Sequence, residues 1–375
     1  MLLILLAVPR AFSTFEVDTL STSGDFYCHS ASLTGTSSPL AAVATGCSTI
    51  GRVNLSTGVG TLLAGVPYSQ GFQDGAGADA RFGQDLYPAV VGERIVVTDA
   101  ANFAIRLVDL ASGDTSTLAG NGDSGVLDGA GGVAQFCDPK HAAHVPFTDY
   151  VLIADGRRIR KIDAVTGEVS TAAGLVQLTC AATPSSSAFD SSIQSLAINA
   201  DGLTAIVATS RSFFRVSVAT GRITRIMYTG TLYNFFTSLV VLPAASGSRV
   251  MVADRINHCL WTFEQQDGAS TTSCVAAGSI GNLGSSDGQG TAARFNSPAF
   301  LALMAGGTTV VVRQNDGEIK LVNTAMESTM CEVCSCVSSC MPPIPGVPAP
   351  AARTPTSIPS PIRRQDRKFS RETAA

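Results

Sequence analysis

Several groups of residues in this chain have types and spacings that could carry chemistry. One is an aspartate that ends a β-branched run: Asp99 after RIVVT, Asp155 after YVLIA and Asp254 after RVMVA. An aspartate there can accept backbone N–H bonds and close the next turn, or several can form a carboxylate ring that holds a cation at one face. The corresponding places elsewhere carry Gly46, Ser210 and Gln314. A half-populated ring favours turn closure. The same turns hold Asn102, Arg157, Arg158, Arg255 and Asn257, so Asp99, Asn102, Asp155, Arg157, Arg158, Asp254, Arg255 and Asn257 are the candidate binding residues of a loop face.

A second group is the set of Gly/Asp loops at Asp74-Gly75, Asp128-Gly129 and Asp287-Gly288, each closing on a phenylalanine: Phe82, Phe136 and Phe295. They have neither the ligand spacing of a calcium loop nor a following helix for phosphate. Tight turns between repeated units, with the phenylalanines inserted between sheets, fit better. His141 and His144 form a third group, but positions three apart on a strand face opposite ways and cannot easily share a metal. The basic stretch GRRIRK (156–161) reads as one strand with a polar outer face that carries Arg158 and Arg160.

Ten cysteines make a fourth group. Cys259 and Cys274 lie on consecutive strands around EQQDGA (264–269), and their midpoint falls in that turn, so we expect them to form a disulfide. Cys331, Cys334, Cys336 and Cys340 are too compressed for two separated pairs of zinc ligands.

These residues sit in a repeat. Segments ending in Ala-Gly or a variant place glycines at 65, 120, 174, 230 and 278, with gaps of 55, 54, 56 and 48. Each unit holds a small-residue apolar stretch, a β-branched run, a second alternating run such as AIRLVDL (104–110), and a turn into the Ala-Gly strand. That is four short antiparallel strands per unit with no helical period. Such units cannot bury both faces alone, and radial packing makes them blades of a β-propeller. The spacing predicts six blades over residues 14–330. Residues 40–45 (LAAVAT) supply the equivalent strand of the first blade, and the N-terminal stretch 15–20 lies beside 318–323 to close the ring. The single Trp261 excludes tryptophan–aspartate repeats, and too few Gly-Gly pairs exclude kelch blades.

The string D-G-x-G-x-x-A-x-F, an apolar strand, V-x-D and I-R-x-[VI]-D resembles NHL repeats, best over 73–120, 127–174 and 286–323. The resemblance implies an all-β, six-bladed, four-stranded propeller. It is weak for function, because NHL-like propellers include enzymes, RNA binders and extracellular interaction modules. Lactonase-like propellers hold a divalent ion with carboxylate and amide ligands, and amidating-lyase-like ones use several histidines. Neither set can be assembled here, so we expect no catalytic residue, metal ligand or cofactor. One divalent cation in the central channel of a hydrolase or lyase is the alternative.

Composition sets the remaining limits. A formal charge of −4 argues against nucleic acid as the main partner. The longest apolar run, Leu2–Val8, is far short of the ~20 residues of a membrane helix. Residues 1–13 read as a signal peptide, 331–340 as a Cys-rich segment and 341–375 as a basic, Pro-rich disordered tail. The expectation is a secreted or lumenal scaffold that binds a protein or glycan through its loop face.

Overall fold

The computed structural model describes residues 16–20, 23–24, 33–35, 41–174, 180, 188–228, 236–244, 247–264 and 273–324. The segment 1–13, the four cysteines of 331–340 and the tail 341–375 lie outside these residues.

Each β-branched run is the second strand of an antiparallel sheet. These strands are Ala41–Gly46, Arg94–Asp99, Tyr150–Asp155, Thr204–Thr209, Gly247–Asp254 and Thr309–Gln314. Valine, isoleucine and threonine are stiff at χ1 and fit a pleated surface packed on both sides. Accordingly Ile95, Val96, Val97, Val151, Ile153, Ile206, Val207, Val310 and Val311 are fully buried. The sheets follow one another along the chain, six in number among the described residues, and the four-stranded ones hold their strands in sequential order. Their first strands are Leu33–Gly35, Leu86–Val91, Pro139–His144, Ile193–Ile198, Phe236–Ala244 and Pro298–Leu303, and these touch in cyclic order. The architecture is an all-β propeller of four-stranded antiparallel blades, two of which carry an added strand.

The N-terminal strand Glu16–Leu20 pairs antiparallel with Ile319–Asn323, from Glu16 opposite Asn323 to Leu20 opposite Ile319. The first and last parts of the chain therefore share a sheet, as the chain length required.

Phenylalanines fill the seams between sheets. Phe82 packs with Ile50 and Ala64 of one sheet and Ile95 of the next, and Phe136 packs between Ile105 and Ile153. Phe295 packs between Leu260 and Val312. Each buried ring contributes roughly 1.5–3 kcal/mol. Where neighbouring sheets approach most closely, the turn before the fourth strand needs glycine. A Cβ on Gly113 (φ +76°) would lie 2.1 Å from Leu63 O, and one on Gly221 (φ +66°) 2.1 Å from Ala172 O.

Two sequence expectations are corrected here. Cys259 and Cys274 do not pair. Cys259 is a free, buried thiol opposite Gly278, while Cys274 stands opposite Thr262. Phe263 faces Ser273, so the hairpin turns later than the cysteine spacing assumed, and a register shift between Leu260 and Trp261 separates the two further. A disulfide does join Cys137 to Cys180, with Cα atoms 5.4 Å apart, and Cys47 is also disulfide-bonded. The second correction concerns GRRIRK, which is not a solvated outer face. Arg160 is fully buried and Arg158 is 5% exposed, because this strand lies in the seam with the preceding blade's loop.

Candidate functional site: a central channel and its surrounding face

The aspartates that end the second strands are consumed inside the fold. Asp99 accepts from Gly83 N (3.0 Å), Asn102 Nδ2 (2.8 Å) and Arg106 Nη1 (3.2 Å). Asp155 accepts from Cys137 N (2.8 Å), Asp138 N (2.7 Å) and Arg160 Nη1 (3.1 Å). Burial is the largest influence on both carboxylates and pushes their pKa values up, while these donors and the guanidinium pull them down. Asp254 is held by Asn257 N (3.0 Å), Asn257 Nδ2 (2.7 Å) and Trp261 Nε1 (3.1 Å). Turn closure is thus what these three residues do.

Each arginine also reaches the aspartate of the preceding Gly/Asp loop. Arg106 Nη2 donates to Asp74 at 2.6 Å, and Arg160 Nη2 to Asp128 at 2.7 Å. The loop aspartates in turn accept from Thr117 N (3.0 Å) and Thr171 N (2.9 Å) on the fourth strands. Phe82 and Phe136 lie about 5 Å under the guanidinium carbons, at 5.1 and 5.0 Å. In the last sheet Lys320 takes the arginine's place, 2.8 Å from Asp287, and Gln314 replaces the inner aspartate. The sequence reading placed Arg160 on a polar outer face and did not single out Arg106. Their signal was the parallel series Asp74, Asp99, Arg106, Thr117 and Asp128, Asp155, Arg160, Thr171.

The eight face candidates therefore divide. Asp99, Asp155, Asp254 and Arg158 are buried, and Asn102 and Asn257 buttress their aspartates. Burial lowers the pKa of Arg158, whose Nη1 lies 3.8 Å from Cys137 Sγ. Arg255 is exposed and Arg157 half-buried with its Nη1 enclosed, so Arg255 is the freer charge for a partner.

The first strands converge on a cavity of about 250 Å³, lined by five of them. Ladder register puts Tyr87, Ser195, Ser238 and Phe300 on one level, opposite Thr98, Ala208, Ala253 and Arg313. His141 joins that level through the irregularity between Lys140 and Ala142. Such bulges re-aim a side chain, and here the imidazole lines the cavity. Its ring centroid is 4.6 Å from that of Tyr87, which is 6.5 Å from that of Phe300. The two serines tie neighbouring blades together: Leu239 N donates to Ser195 Oγ and Leu301 N to Ser238 Oγ, both at 3.0 Å.

Apolar surroundings push the His141 pKa down to about 3, helped by the charge of Lys140, so the ring is neutral at ordinary pH. Burial also raises the Tyr87 phenol, with Asp85 and Asp138 adding to the effect. Among the described residues the lining has two imidazoles and no carboxylate or carboxamide, and His144 Nε2 is engaged with Thr148 O at 2.6 Å. Among the described residues no three His, Cys, Asp or Glu side chains converge.

No protein-family model matches the sequence, and no curated protein matches it. Solved structures do share the fold. A protein of unknown function from Bacteroides thetaiotaomicron superposes with a TM-score of 0.56 at 13% identity, over 83% of this chain and 76% of that one. An auxiliary nutrient binding protein from Bacteroides ovatus gives 0.56 at 12% identity, over 83% and 77%. Another auxiliary nutrient binding protein, from Bacteroides thetaiotaomicron, gives 0.58 at 10% identity, over 83% and 76%. At such identities the likeness is one of fold, and it places this chain among the β-propellers.

Proposed function

We propose that this protein is a non-catalytic binding scaffold, a six-bladed NHL-like propeller that presents its loop face and channel mouth to a protein or glycan. The observation that carries this reading is the fate of the charged groups. Asp99, Asp155 and Asp254 are spent on internal bonds, and the described lining of the channel holds no Asp, Glu, Lys or Arg. What faces a partner is a rigid surface with Arg157 and Arg255 on it. The fold shared with proteins described as auxiliary nutrient binding proteins is compatible with such a role. The Cys137–Cys180 bond supports a secreted or lumenal setting, since disulfides persist in oxidising compartments.

A glycan array and a panel of extracellular proteins, probed with the wild type and with Arg157→Ala/Arg255→Ala, test the reading. The expected result is a bound class whose affinity falls about tenfold in the double variant at unchanged melting temperature. Undiminished binding by the double variant would refute the loop-face reading. Stoichiometric divalent metal together with lactone turnover would replace the scaffold by the hydrolase.

A further inference from the structure

Two polar side chains of the channel level have no protein partner among the described residues. The Tyr87 hydroxyl and both ring nitrogens of His141 line the cavity, and no side chain or backbone group among the described residues hydrogen-bonds them. Ser195 has its acceptor side occupied by Leu239 N, yet its hydroxyl hydrogen is free to donate. These groups sit on a cluster of three rings, Phe300–Tyr87–His141, which forms one side of the channel. Ser195 and Ser238 of two further blades also line the cavity, together with apolar residues such as Leu196 and Leu239.

The geometry points to a binding site for a single neutral sugar ring, a pyranose, held at the Tyr87–His141–Phe300 level of the channel. This inference rests on the reading of the molecule as a binding scaffold, and it assigns the channel a ligand of its own. A pyranose has an apolar C–H face that matches an aromatic surface, and a rim of hydroxyls that can both donate and accept. Imidazole, phenol and serine hydroxyl supply the complementary donors and acceptors. Tyr87 and His141 are half-buried, so a ligand hydroxyl can replace mobile water at these donors and acceptors with bonds of fixed geometry. A cavity of about 250 Å³ lies just under the usual 300–1,000 Å³ of ligand pockets, which suits one ring rather than a chain. Among the described lining residues an anion finds no lysine or arginine, and a cation finds no carboxylate.

Saturation-transfer NMR on the full chain tests this with methyl glucopyranoside and methyl galactopyranoside at millimolar concentration. Cyclohexanol serves as an apolar ring with one hydroxyl, and choline as a cation. The expected result is transfer to at least one of the sugars with little to cyclohexanol or choline. Affinity should fall about tenfold in His141→Leu and in Ala143→Leu, which fills the cavity without touching the polar level. Both variants should melt as the wild type does; if His141→Leu fails to fold, Ala143→Leu alone decides. Arg157→Ala/Arg255→Ala should leave sugar transfer unchanged, which separates this site from the loop face. Absence of transfer from both sugars, equal transfer from choline, or retention of sugar binding in Ala143→Leu would overturn the proposal while leaving the loop-face reading standing.

Discussion

The Arg160 guanidinium stands 3.1 Å from the Asp155 carboxylate, and neither side chain reaches solvent. A second amino group of the same arginine extends to Asp128, which is 42% exposed, so one cation links a blade's interior to the loop that enters it. Arg106 repeats the arrangement with Asp99 and Asp74. Removing one member of a buried pair leaves an uncompensated charge and costs about 3–5 kcal/mol. Arg160→Met should therefore lower urea-unfolding stability by that amount. Arg106→Lys should cost less, because a lysine reaches one carboxylate, as Lys320 does with Asp287. A loss under about 1 kcal/mol in Arg160→Met would show that the pair adds little to stability.

Closure of the ring depends on the N-terminal strand. Glu16–Leu20 supplies the fourth strand of the last blade, where Thr19 stands opposite Lys320 in the register that Thr117 and Thr171 hold opposite Arg106 and Arg160. Deleting residues 14–22 should lower stability by several kcal/mol through the lost strand and the opened seam. A melting temperature equal to that of the full chain would count against this dependence.

His141 makes stability depend on pH in a defined direction. Its folded pKa, about 3, lies below the ordinary histidine value near 6.5, so the unfolded chain binds the proton first. The contribution is complete above about pH 6.5 and is lost as pH falls towards 3. Urea midpoints should decline between pH 7 and pH 5, before most carboxylates titrate, and His141→Gln should flatten that decline. Parallel curves for the two proteins would place the imidazole in a wet, unperturbed setting instead.

The cysteines should separate by chemistry. Burial pushes the Cys259 thiol well above the ordinary cysteine range, and the charge of Asp254 adds to it. Iodoacetamide should leave Cys259 unmodified in the native protein and alkylate it after unfolding, since the thiolate is the reactive form. Non-reducing peptide mapping should recover Cys137 linked to Cys180. A Cys259–Cys274 cross-link from the native protein would contradict the blade register.

Legibility in the sequence followed the range of the interaction. Strands such as Arg94–Asp99 and Tyr150–Asp155 were readable because β-branched runs and flanking turn residues act within a few positions, and their recurrence disclosed the propeller. The phenylalanine seams were readable for the same reason, since Phe82, Phe136 and Phe295 recur at one place in the unit. The Asp–Arg–Asp links were not, because Asp128 and Arg160 lie 32 residues apart and meet only when the loop folds onto the blade. Their charges suggested a solvated strand until packing enclosed them. The Cys259 error had a related origin: a hairpin's register depends on where its turn falls and on a bulge, and spacing alone does not report either. The channel level was the least accessible of all. Tyr87, His141, Ser195, Ser238 and Phe300 come from five different blades, and local patterns carry no information about which strands share an axis. Ring closure brought them together, and the bulge at His141 turned a histidine that alternation could not place into part of the channel wall.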